Sequence, residues 1–220
     1  MTAFDTERAR HNMLEQQIRP WEVIDQRVLD AMAAVPRERF VPERFQGLAF
    51  ADTEIPLEHG ESMMAPKIEA KLLQALDVQP TDRALEVGTG SGYLAACLAR
   101  LGGHVVTVEI HGDMQEEAGA RLASLGIQNV ECVAGDAFTV AIPGAPFDVI
   151  AVTGSVPRAP VLLESLLAEG GRLFAVIGEP PAQRATLVTR IRGDVYRRET
   201  LFETVLPPLH NAPRPAAFVF

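Results

Sequence analysis

The sequence is short of several things, and each shortage removes a class of protein. It has two cysteines, Cys97 and Cys132, with no CxxC spacing, so a disulfide framework or a cysteine metal site is not indicated and buried, reduced thiols are expected. No apolar run reaches the roughly eighteen residues that a spanning helix needs, and the opening MTAFDTERARHNM lacks a basic start followed by an apolar stretch. Positive charge is also scarce. Twenty Lys plus Arg face 29 Asp plus Glu, a net charge of −9, which argues against non-specific binding to phosphate backbones. A cytoplasmic protein is expected, with neither nucleic acid nor membrane as partner. No internal repeat or low-complexity tract is present.

What is there fits one α/β unit of 220 residues, 47% hydrophobic and 22% charged. The organising stretch is Arg83 to Leu101, RALEVGTGSGYLAACLARL. Arg83 to Val87 has the composition of a buried strand, and Tyr93 to Leu101 carries Leu94, Cys97, Leu98 and Leu101 at helical spacing. Between them, Gly88, Gly90 and Gly92 permit a tight turn and close approach of a ligand to the backbone. A loop of this kind also serves as a plain strand-to-helix connection, and alone it does not decide.

Upstream, the first eighteen residues read as a polar helix ending near Arg19-Pro20. Asp25 can cap a second helix bearing Val28, Leu29, Met32 and Val35 on one face. Arg37, Arg39 and Arg44 are expected on a solvated face or in local ion pairs with Glu38 and Glu43, and Trp21 as a packing anchor. Asp52 to Pro66 should be an ordered loop, with Pro66 opening a helix that carries Ile68, Leu72, Leu73 and Leu76.

Downstream the pattern is regular. His104 to Glu109 and Val130 to Ala134 are strands flanking a helix from Met114 to Leu125, and Phe147 to Thr153 and Arg172 to Ile177 are strands flanking a helix near Pro160 to Leu167. Gly170-Gly171 is expected to stop the chain before the last of these. Ala185 to Arg192 and Val195 to Leu206 alternate around Gly193-Asp194, a hairpin signal. The expected fold is α/β and doubly wound: a mostly parallel seven-stranded sheet with an antiparallel C-terminal pair and an N-terminal helical extension. Residues 1–80 form the helical region and loop, residues 81–220 the core, packed as one continuous domain. The closing PPLHNAPRPAAFVF is expected to be irregular surface chain.

Glu109 ends the second core strand where doubly wound folds place a carboxylate for ribose hydroxyls, though a strand-end charge is also what a solvated edge looks like. Asp136, after Gly135, could reach an adenine amine or merely stabilise a turn. With Glu86 they put acids at three successive strand ends, which points to a cofactor. A nicotinamide GxGxxG counted from Gly88 fails at Tyr93. Counted from Gly90 it passes with Ala95, but begins too late after the strand.

The run ExGxGxG from Glu86 to Gly92, then Glu109 and Gly135-Asp136, resembles a Rossmann-like class I S-adenosylmethionine-dependent methyltransferase. VLDAMAAVPRERFVPE, the Asp52 to Pro66 loop, LEVGTGSGY, APFDVIAVTG and ETVLPPL are similar, in order and spacing, to the protein-L-isoaspartate O-methyltransferases over nearly the whole chain. The resemblance implies repair methylation of isoaspartyl residues in damaged proteins or peptides by a monomer. It implies a cofactor, S-adenosyl-L-methionine, held by Glu86, Gly88, Thr89, Gly90, Gly92, Glu109, Asp136 and Ala137, and assigns no metal ligands. One departure stands out. The family's loop reads Gly-Gln-Thr-Ile-Ser-Gln-Pro, and here it is Gly60-Glu61-Ser62-Met63-Met64-Ala65-Pro66. Met64 takes the place of the catalytic serine, and Ser62 keeps the preceding hydroxyl. Three outcomes are open: isoaspartyl methylation with a loop that uses Ser62 and Lys67, methylation of another substrate, or a cofactor-binding interaction protein in which Glu61 repels an anionic substrate.

Overall fold

The computed structural model describes residues 3–214. Helix α1 (Ala3–Asn12) runs into a wider turn over Met13–Ile18, and α2 (Gln26–Ala34) follows, its first turn closed by Asp25, which accepts the Arg27 N–H. Two short strands, β1 (Ile55–Pro56) and β2 (Ser62–Met63), pair antiparallel inside the expected loop, and α3 (Pro66–Leu76) starts at the proline. Then come β3 (Arg83–Val87), α4 (Tyr93–Leu101), β4 (His104–Glu109), α5 (Gly112–Ser124), β5 (Val130–Ala134), β6 (Phe147–Val156), α6 (Val161–Ser165), β7 (Leu167–Ile177), β8 (Arg184–Arg192) and β9 (Val195–Glu203).

The seven long strands form one sheet in the order β5-β4-β3-β6-β7-β8-β9, parallel from β5 to β7 and antiparallel from β7 to β9. The chain leaves β3 toward β4 on one side and returns to β6 on the other. This reversal opens a crevice at the carboxyl ends of β3, β4 and β6. Neighbouring residues of the central strands face opposite cores. Ala84, Val105 and Val149 join α2, α3 and α4 on one face, while Leu85, Val106 and Ile150 pack with Leu163 on the other. Double-sided burial is why these strands read as apolar runs.

Four expectations need correction. The first eighteen residues are not polar throughout: Met13, Leu14 and Ile18 are buried, because that stretch packs under α3. Arg37 is not solvated but fully buried, while Glu38 pairs with Arg10 and Arg44 with Glu58. Trp21 is not a buried anchor. It is 44% exposed, with the Lys67 ammonium 4.4 Å from its ring centre. Finally, α6 is only five residues long, and β7 begins at Leu167, ahead of Gly170-Gly171. There the register against β6 jumps between Phe147 and Val149, so the glycines let the strand bulge instead of stopping it.

Candidate active site

Sequence fixes the loop after β3 through one close approach. Gly88 has φ +95°, and a Cβ there would lie 2.2 Å from Thr153 Oγ1. The Thr153 hydroxyl takes that space and reaches the Val87 and Gly88 carbonyls, each at 2.8 Å, locking the loop to β6. From the other side, the Glu109 carboxylate accepts the Gly90 N–H at 2.8 Å and the His111 N–H at 3.1 Å. A carboxylate has about four lone-pair sites, so two remain for a ligand. Asp136 accepts the Phe138 N–H at 2.8 Å and the Asn211 amide at 3.0 Å.

These groups converge on a cleft of about 750 Å³, its open mouth included. Of the residues expected at the site, Ser62, Met64, Gly88, Gly90, Glu109, Asp136 and Ala137 line it. Glu86 and Thr89 do not. They lie behind the glycine loop in a smaller chamber shared with Met63 and Leu94, where the Thr107 hydroxyl donates to Glu86 and also meets Thr89 Oγ1. Gly92 lines neither space and leads into α4 at φ +87°.

Sequence reading missed Thr153 and the run from Leu206 to His210, all of which line the cleft. Thr153 stands one residue beyond the last pair of β6 with β3, beside the switch in strand order, so the rule that selected Glu109 also selects it once β6 is placed. The C-terminal run, expected as irregular surface chain, is irregular and mostly exposed from Pro207 to Arg214, and bonds to the core tie it down as far as Leu209. Ser155 and Gln183, both nearly fully buried, hold it. Leu209 N–H donates to the Ser155 carbonyl, Ser155 N–H to Pro207, the Ser155 hydroxyl to Leu206 and Leu206 N–H to Gln183 Oε1. Gly154 allows this approach, since a Cβ there would lie 2.8 Å from Leu209 Cδ2. The end of that expected tail, residues 215–220, lies outside the described residues.

The loop that carries Met64 is held from beneath by Arg37. Its guanidinium pairs with Glu69, donates to the Met64 carbonyl at 2.8 Å and the Ala49 carbonyl at 3.0 Å, and lies 4.6 Å from the Tyr93 ring centre. The Met64 side chain, 6% exposed, faces both the cleft and the chamber. The Ser62 hydroxyl reaches Glu54 at 3.4 Å. Lys67 does not line the cleft, being paired with Asp52 at 2.7 Å.

Burial dominates the titration of the acids below. It pushes the Glu69 carboxyl up to about 7, a rise that the Arg37 guanidinium opposes. It pushes Glu86 up to about 8, with the Thr107 hydroxyl pulling down and the charges of Glu109 and Glu69 adding to the rise. Glu86 is therefore a neutral acid at pH 7. The Cys97 thiol and the Tyr93 phenol, also buried, are both pushed upward, so neither is a ready nucleophile.

A strand-end acid over a glycine loop, with a separate loop facing it across one cleft, is a two-ligand arrangement. Residues 8–211 match the model of the protein-L-isoaspartate(D-aspartate) O-methyltransferases. The chain belongs to that family. It is 43% identical to protein-L-isoaspartate O-methyltransferase 1 of Rhodopseudomonas palustris over 94% of this chain and 84% of that one. Identity to the enzyme of that name from Koribacter versatilis is 40% over 90% and 88%. Among solved structures, one from Plasmodium falciparum, described as a member of this family in complex with S-adenosyl-L-homocysteine, superposes with a TM-score of 0.78 at 25% identity, covering 93% of this chain and 97% of that one. A second, named protein-L-isoaspartate O-methyltransferase, gives 0.80 at 26% identity over 94% and 66%.

Proposed function

We propose that this chain transfers the methyl group of S-adenosylmethionine to the free carboxylate of L-isoaspartyl residues in damaged proteins, a repair methylation. The observation that carries the reading is the single cleft, floored by Glu109, Asp136 and the glycine loop and faced by the loop of Ser62 and Met64. S-adenosylmethionine, when bound, supplies an electrophilic methyl group on a sulfonium. Glu109 fits a ribose because two acceptor sites remain on a carboxylate already fixed by backbone N–H groups. Asp136 and Ala137 form the adenine end. Glu86 and Thr89 act indirectly, by shaping the underside of the loop.

The substrate carboxylate is ionised at neutral pH, so no general base is required. As its oxygen bonds to the methyl carbon, the sulfur–carbon bond breaks, leaving a methyl ester and S-adenosylhomocysteine. The task of this chain is positioning. Ser62 offers a hydroxyl at the cleft, and Met64 offers a thioether that cannot donate. Relative to a serine at Met64, one positioned donor is missing, worth about 10² to 10³ in rate. The working unit is read as a monomer acting on isoaspartyl proteins or peptides. A reducing, cytoplasmic setting is supported by the free thiols of Cys97 and Cys132. Among the described residues, no helix is long and apolar enough to cross a membrane.

Purified protein should incorporate label from S-adenosylmethionine into an isoaspartyl peptide as a base-labile ester, and not into the matching aspartyl peptide. Tight S-adenosylhomocysteine binding with no incorporation into either peptide would overturn the substrate assignment. It would favour the second reading that Met64 raises, a cofactor-binding protein with another substrate or with none.

A further inference from the structure

At the mouth of the cleft, three segments distant in sequence bring imidazoles and a carboxylate together. Glu61 comes from the loop between β1 and β2, His111 from the turn between β4 and α5, and His210 from the C-terminal run. Glu61 Oε1 lies 2.8 Å from His210 Nε2 and 3.4 Å from His111 Nε2, and the ligand atoms all fall within 4.8 Å of one another. We propose that Glu61, His111 and His210 form a binding site for a zinc-class divalent cation, which pins the C-terminal run to the loop across the mouth of the cleft.

The donor set supports this. Two imidazole nitrogens and one carboxylate oxygen suit Zn²⁺, with a further position left open. Bonds of about 2.0–2.1 Å in a tetrahedron place neighbouring ligand atoms about 3.4 Å apart. The His111 separation from Glu61 matches that value and the His210 separation is shorter, so a small side-chain rotation completes the set. The imidazoles are also partly oriented in advance. His59 stacks on His111 with ring centres 4.3 Å apart and planes 8° apart, and His59 Nε2 is itself 2.7 Å from Asp113. The His111 backbone N–H is held by Glu109. These contacts restrict the movement of the His111 ring. Without a cation, Nε2–H groups on both imidazoles can share Glu61 Oε1 as acceptor; with one, each neutral ring carries its proton on Nδ1 and turns the Nε2 lone pair to the metal.

Because Glu61 and His210 both line the cleft, a bond through a metal ties its two lips together. Cation binding itself does not depend on what the cleft holds. Slower release of the reaction product does, and it rests on the cleft being the S-adenosylmethionine site.

The test is a Zn²⁺ titration of tag-free protein by calorimetry, with Co²⁺ as a visible-absorption probe of ligand geometry. One equivalent of Zn²⁺ should bind, and Co²⁺ should show the d–d bands of a low-coordinate site. His210→Ala, His111→Ala and Glu61→Gln should each weaken Zn²⁺ by about tenfold or more, since losing a ligand costs no less than losing an outer-shell partner. His104→Ala, an exposed imidazole at the far end of β4, should leave it unchanged. Because His210 is 53% exposed, its variant should melt like wild type, and Glu61→Gln keeps the side-chain shape if it does not. Affinity unmoved by all three substitutions, or Co²⁺ bound without such bands, overturns the site. Zn²⁺ should also slow dissociation of S-adenosylhomocysteine from wild type and not from His210→Ala, and equal release rates overturn the pinning. If S-adenosylhomocysteine fails to bind at all, the cofactor reading falls, while the titration still decides the cation site.

Discussion

The floor of the cleft and its cover are built by different means. The floor is made of strand ends, and its key acid is aimed by backbone groups: Glu109 is fixed by two N–H groups and the glycine loop by Thr153. The cover is made of the loop over residues 52–66, in which only β1 and β2 are regular, and the run over residues 206–210; backbone bonds to Ser155 help to hold the run, and side chains add the rest of the grip. Arg37 grips the loop from below, and Ser155 and Gln183 grip the run. Backbone-built geometry changes little when side chains change. A cover tied partly by side chains can be retuned one residue at a time, and Glu61, Met64 and Ala65 are among the residues here that depart from the family's loop pattern.

The largest effect expected from breaking this contrast is at Arg37. Arg37→Leu leaves the buried Glu69 unpaired and the Met64 and Ala49 carbonyls without their donor. Removing one partner of a buried pair typically costs about 3–5 kcal/mol. Denaturant unfolding should show a loss of that order. Hydrogen exchange should lose protection over residues 49–69 before β3 and β4. Uniform loss along the chain would mean that floor and cover are one cooperative unit.

Next in size is Met64→Ser, which alters the cover alone. It should raise isoaspartyl methylation by up to about 10² to 10³, with S-adenosylhomocysteine affinity nearly unchanged, because a donor there acts on the transferring geometry and not on ribose or adenine. Turnover that falls instead would show that the thioether belongs to a differently built working site.

At Glu109 the floor itself is tested. Glu109→Gln should weaken S-adenosylhomocysteine binding by about 1.5–3 kcal/mol, the worth of hydrogen bonds to a charged group. The structure predicts a modest drop in melting temperature without ligand, because Glu109 also holds the Gly90 and His111 N–H groups. Calorimetry and melting curves measured together separate the two roles.

The same contrast explains what could be read before the fold was known. Periodicity and glycine spacing located β3, β4 and β5, and with them Glu109 and Asp136, because a buried parallel strand must be apolar and its end must turn. Arg37 could not be found that way. Its role depends on Glu69, Met64 and Ala49, brought together only by tertiary packing, and by local pattern alone an arginine beside Glu38 belongs on the surface. The C-terminal run lies at the surface as expected, but its place beside the cleft was hidden for a similar reason. Pro207 and Pro208 signal irregular chain, and irregular chain is usually exposed. The signal that could have placed it was the similarity of ETVLPPL to the family, which was in hand but carried no spatial meaning. Glu86 shows the opposite limit: the motif located it correctly at the end of β3, and only side-chain direction reveals that it points away from the cleft.

That direction also gives a dependence of stability on pH, gradual along the pH axis. Glu86 sits under the floor with its carboxyl pushed to about 8 from an unfolded value of 4.5. Between those values the native state keeps a proton that the unfolded chain has released. Its contribution to stability is thus fully present below about 4.5 and lost as pH rises through 8. The slope is at most about 1.4 kcal/mol per pH unit. Glu69, under the cover, shifts in the same direction to about 7 and adds slope over the lower part of the window. Glu86→Gln keeps an acceptor for the Thr107 hydroxyl and removes the titration, so it should flatten the Glu86 part of the decline and leave the part due to Glu69. Urea unfolding at about pH 5.5, 6.5 and 7.5 measures the difference directly. Parallel curves for wild type and variant would mean that Glu86 is ionised in the native state, so that the floor carries a buried charge in place of a neutral acid.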